Sequence, residues 1–164
     1  MNLSPTTRPA ASNAALTLRS ENGQSLVEFA LCLPVLLLIV TGIFTFGIAI
    51  NNYLMLTDAT NVGARQLAIS RGQNTDPCAA ISAIVYAAAP NLVPAEFTFG
   101  LVLNGQTYNG VSCSSASTTT GAAGELTQGV SARVTVTYPC TLQVYGMSYL
   151  PGCTLQAQTT ELVQ

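Results

Sequence analysis

Residues 29–50 read FALCLPVLLLIVTGIFTFGIAI, and none of them is charged. At the helical rise of 1.5 Å per residue, roughly 22 residues span about 33 Å, enough to cross the hydrocarbon core of a bilayer. A core helix of that length would show a polar stripe. This one offers only Thr41 and Thr45, whose hydroxyls can return to the helix backbone. A secretory signal has a shorter apolar region, about 7–15 residues, ending near a small-x-small site. Here the run ends instead at Ile50-Asn51-Asn52-Tyr53. The stretch reads as a single membrane span.

The rest of the composition agrees. In 164 residues there are 5 basic and 7 acidic side chains, a net charge of −2, with 7% charged and 49% apolar residues. Mean hydropathy is +0.42. All the basic residues are arginines scattered along the chain, so the clustered cationic surface that nucleic acid requires is missing, and no nucleic-acid partner is expected. The apolar content likewise excludes a disordered acidic tail. With no His and no Lys, imidazole catalysis, Schiff-base chemistry and His-ligated metals are excluded. Glu28, Asp58, Asp76, Glu96, Glu125 and Glu161 fall on different elements, no phosphate-cradling glycine loop follows a strand, and the serines have no base. The expectation is not an enzyme, with no cofactor and no metal.

Outward from the span, residues 1–23 are polar with two prolines and read as a flexible cytoplasmic leader. Beyond it, Met55, Ala59, Val62 and Ile69 keep helical spacing, so the helix is expected to continue to about Ser70, with Gly72 ending it. Asp76-Pro77 has the form of a helix start, and Ile81, Ile84, Val85 and Ala88 form one face of a short helix that Pro90 ends. The period then becomes two. Phe97, Phe99, Leu101 and Leu103 alternate with Glu96, Thr98 and Gly100, and Asn104-Gly105 signals a hairpin. A second Asn-Gly at 109–110 suggests another turn or a frayed edge, and residues 112–124 a mobile loop tethered at Cys113. Strands are expected over 130–138, stopped by Pro139, and from Thr154 onward. The fold class is α+β: a long N-terminal transmembrane helix extending outward, then a small antiparallel β-sheet packed with a short helix. The domains are a leader at 1–23, the transmembrane and extended helix at 24–72, and an exported domain at 73–164.

Cys32 lies within the span and is expected among buried apolar side chains. Cys78, Cys113, Cys140 and Cys153 all follow it, an even set that suggests disulfides and an oxidising compartment. Three pairings are possible. The short Pro-Gly-containing loop between Cys140 and Cys153 favours that bond, leaving Cys78 with Cys113. The C-terminal part should therefore lie outside the cytoplasm. Within the span, Pro34 should kink or loosen one turn. Thr41, Gly42, Thr45 and Gly47 could permit close helix approach.

The threshold of the span reads Gly23-Gln24-Ser25-Leu26-Val27-Glu28-Phe29. A carboxylate there is unfavourable, by about 2.5–3.5 kcal/mol at the bilayer centre and less at its edge, and so demands a reason. One reason is capping: Ser25-x-x-Glu28 has the form of a capping box. Another is pairing. Were the chain cut after Gly23, the new ammonium on Gln24 would stand about one helical turn from Glu28, and the pair, within or between subunits, would fix helix register.

These residues resemble a known family. GQSLVEFALCLPVLLLIVTGIFTFG is similar to the opening of the TadE-like proteins, minor pilins or pseudopilins of bacterial tight-adherence (Flp-type) pilus systems. Val27, Glu28, Phe29, Ala30, Pro34, Gly42, Phe46 and Gly47 carry the resemblance, Gly63-Ala64-Arg65 is similar to the end of the family's helix, and residues 134–139 and 155–157 resemble its closing strands more loosely. The resemblance implies processing by a prepilin peptidase, with the cut mapping to Gly23–Gln24 and Glu28-Phe29 serving register and processing. It also implies pilin or TadE-like partner subunits, inner-membrane lipid around the helix, and a part in pilus assembly for adhesion. The rival reading is an uncleaved single-pass protein whose outer domain binds an extracellular ligand or partner.

Overall fold

The computed structural model describes residues 18–140, 143–144, 147–148 and 150–164. Helix α1 runs Leu18–Ile69. It begins inside the segment expected to be a flexible leader, because residues 18–22 (LRSEN) contain neither proline nor glycine and continue a helix at small cost. Pro34 lies inside α1 without ending it. At the other end, Ser70 N–H donates to the Leu67 carbonyl at 3.1 Å, and Gly72, at φ 71°, turns the chain.

The chain divides into two compact units, Met1–Ile43 and Phe44–Gln164. The described part of the first is α1 alone. The second holds the remainder of α1 and every later element.

In that second unit, Asp76 caps α2 (Pro77–Ala88), accepting the Ala79 N–H at 2.9 Å. A single 3-10 turn, Pro94–Glu96, leads into β1 (Thr98–Leu103). Asn104 and Gly105 both take positive φ, 50° and 80°, which is what a two-residue hairpin turn needs, and β2 (Gln106–Asn109) returns beside β1. Gly110, at φ 102°, ends β2 and donates to the Phe99 carbonyl. Residues expected to form a mobile loop instead include a short helix, α3 (Gly121–Gly124), which buries Ala122 and Ala123 and whose preceding loop is tied by Ser115 Oγ to Ala123 N–H. Then come β3 (Ser131–Pro139), the two-residue strands β4 (Gln143–Val144) and β5 (Met147–Ser148), and β6 (Thr154–Leu162).

Four strands form an antiparallel sheet in the order β2-β1-β3-β6, and β4 pairs with β5 separately. Period-two burial leaves one face apolar: Phe99, Leu101 and Leu103 on β1, Val134 and Val136 on β3, and Ala157 on β6. Leu56, Ala59, Ala64 and Leu67 of α1 and Ile81 and Val85 of α2 join that core. The other face, with Thr98, Thr137, Gln156, Gln158 and Thr160, meets solvent, as an antiparallel sheet permits. The rings of Tyr86, Phe97, Phe99 and Tyr138 close one end of the core with centroids 5.2–5.9 Å apart. The fold is α+β, with a long apolar N-terminal helix.

Candidate functional site

The distinguishing surface is α1 itself. Every residue from Gly23 to Val40 is exposed, including Leu26, Val27, Phe29, Leu31, Val35 and Leu36. Each such side chain left in water forgoes about 1.5–3 kcal/mol of burial free energy, and the whole stretch lies together on one element. Gly23–Ile69 is long and apolar enough to cross a membrane, and its most apolar window has no buried residue. The helix is apolar all round, as a lipid-facing helix is and a surface helix of a globular domain is not. Cys32, expected to be buried, is exposed and unbridged, because the apolar residues that flank it on α1 are themselves uncovered.

The residues at the threshold all sit in continuous helix. Ser25 lies seven residues beyond the first helical residue, so in the uncut chain it is not an N-cap and a capping box does not account for Glu28. Glu28 is exposed, and its Oε1 accepts from Gln24 Nε2 at 3.3 Å, one turn away. The Gly23–Gln24 bond is helical too, with nothing within 4 Å of where a Gly23 Cβ would stand. Deeper in the span, Thr41 Oγ1 donates to the Leu37 carbonyl at 2.7 Å, which satisfies the hydroxyl without a water. Asp58 and Arg65, seven apart on α1, are both exposed.

The second unit is knotted by two disulfides, Cys78–Cys113 and Cys140–Cys153, with Cα atoms 5.4 and 5.3 Å apart. Asp76 is the hub of the first knot. Besides capping α2 it accepts from Ser112 Oγ at 2.6 Å and from Cys113 N–H at 2.9 Å. Partial burial pushes its carboxyl up, but the hydrogen bonds from Ser112, Cys113, Ala79 and Cys78 outweigh that, and it titrates below the ordinary 3.8. Ligand atoms of Asp76, Cys78 and Cys113 lie within 4.8 Å of one another. Both sulfurs are spent on the disulfide, which leaves a structural tie and not a metal-ligand set. The hub was invisible in sequence, since Asp76 and Ser112 are 36 residues apart. An open cleft of about 540 Å³ in this unit is bordered by Arg65, Gln66, Ile69, Glu161 and Gln164.

A naked apolar helix leading into a small disulfide-tied α+β unit defines a class of protein held by a single N-terminal membrane anchor. Residues 23–65 match the family model of the TadE-like proteins, so over that stretch of α1 the chain is similar to that family. No curated protein and no solved structure matches it.

Proposed function

We propose that this chain is a minor pilin or pseudopilin that assists assembly of a tight-adherence, type IV-like pilus. The TadE-like match falls on the very helix whose apolar surface is uncovered, and that coincidence carries the reading. The N-terminus lies in the cytoplasm, α1 crosses the bacterial inner membrane once, and the disulfide-tied unit lies beyond it, where an oxidising compartment preserves such bonds. The role is structural and not catalytic. In the bilayer α1 faces lipid; during assembly the same surface packs against the helices of other pilin or TadE-like subunits.

Glu28 supplies the register. An ionised carboxylate carried into an apolar bundle is favoured where a cation meets it, so one axial position is preferred over its neighbours. The cation is the ammonium that appears on Gln24 once prepilin peptidase removes residues 1–23; Gln24 of the same chain stands one turn from Glu28, and the ammonium of a neighbouring subunit is the one that sets one helix against another. Cutting requires the helix to open around Gly23. Glycine helps there, because it weakens a helix by about 1 kcal/mol relative to alanine. The continuous helix from Leu18 through Gln24 also suits the rival, an uncleaved single-pass protein whose outer unit binds a ligand or partner.

The test is complementation of a deletion strain, counting surface pili by electron microscopy. The wild-type chain should restore pili, and Glu28→Leu at equal membrane abundance should not. Full piliation without the chain would overturn the proposal.

A further inference from the structure

The apolar surface does not end where the span ends. Phe46, Ile50 and Tyr53 of α1 border a shallow apolar cavity of about 230 Å³ with Leu155 and the Cys140–Cys153 disulfide. That disulfide closes the loop that carries β4 and β5, and the loop presents Met147 and Leu150, 61% and 53% exposed. No charged residue occurs between Arg133 and Glu161, so no ionised side chain in the loop or its two stems opposes entry into the interface. The uncharged run of the span gives way to Asn51-Asn52-Tyr53 at the level of this cavity, where the polar headgroups of a bilayer would begin.

We propose that Met147 and Leu150, between Cys140 and Cys153, form a second membrane contact, seated in the outer interface of the lipid bilayer beside α1. The inference rests on the reading of α1 as a membrane anchor. Lipid is the occupant because the disulfide at the base of the loop borders the cavity that Phe46 and Ile50 of the span line, and a surface tied to a helix at its exit from the bilayer meets headgroups and upper acyl chains first.

The chain contains no tryptophan, so single-tryptophan variants of the full-length protein report one site each. Met147→Trp, Leu150→Trp, Ile39→Trp and Val111→Trp would be reconstituted separately in phosphatidylcholine–phosphatidylglycerol vesicles containing lipids brominated either near the headgroup or deep in the chain. Val111 is exposed, like the loop residues, and borders the Cys113 end of the unit, so it controls for tryptophan's own interfacial preference. The proposal expects shallow bromines to quench emission from the Met147→Trp and Leu150→Trp variants about twofold or more. Deep bromines should quench the Ile39→Trp variant, and neither kind should affect Val111→Trp. Quenching of the Ile39 variant with none of the two loop variants overturns the loop contact and leaves the anchor standing. No quenching of the Ile39 variant overturns the anchor itself, and the proposal with it.

Discussion

Gly63 of α1 faces Val85 of α2 so closely that a Cβ on the glycine would stand 3.1 Å from Val85 Cγ2 and 3.4 Å from Ile81 Cγ2. The missing side chain is what lets α2 reach α1, and through this contact the C-terminal part of α1 becomes part of the second unit's core. A larger residue there must push the helices apart. Gly63→Leu should destabilise the unit by about 1–3 kcal/mol, read as a lower urea midpoint. An unchanged midpoint would mean that the two helices are not locked at this point.

Asp76 holds three things at once: the first turn of α2, the Ser112 hydroxyl and the Cys113 amide. Asp76→Ala should cost about 1–2 kcal/mol for the cap alone, with more from the loop. The pH dependence has a definite sign. The folded carboxyl titrates below its ordinary 3.8, so its contribution is complete above that value and disappears as pH falls through the lower, folded value. Thermal melts between pH 7 and pH 2 should show wild type losing an acid-side increment that Asp76→Asn lacks.

The two disulfides close loops of different length, with sequence separations of 35 and 13. Removing Cys78–Cys113 by double alanine substitution should cost about 2–5 kcal/mol, and the longer loop should cost more than the shorter one. Equal melting temperatures with and without reductant would contradict this.

Much of this architecture is legible along the chain because its signals are local. The uncharged run marks the span, period-two alternation marks β1 and β3, and Asn104-Gly105 marks the hairpin through the positive φ that both residues adopt. What escapes is long-range or too short to show a period. β4 and β5 have two residues each, and α3 is GAAG, a sequence with little helical preference of its own, which forms where Ala122 and Ala123 are buried. The upstream start of α1 escapes because polar residues permit a helix without announcing one. At the threshold, Glu28 stands out in sequence by its cost near a membrane. Its one-turn spacing from Gln24 is legible too; the side-chain hydrogen bond between them and the helical state of Ser25 in the uncut chain come from the structure alone.

The central claim is that α1 begins its working life at Gln24. Intact-mass analysis of the membrane-extracted protein, expressed with and without a prepilin peptidase, tests it most directly. The account predicts a peptidase-dependent loss equal to residues 1–23, abolished by Gly23→Val. A full-length mass in both cases, from cells in which the same peptidase processes a control pilin, would contradict it.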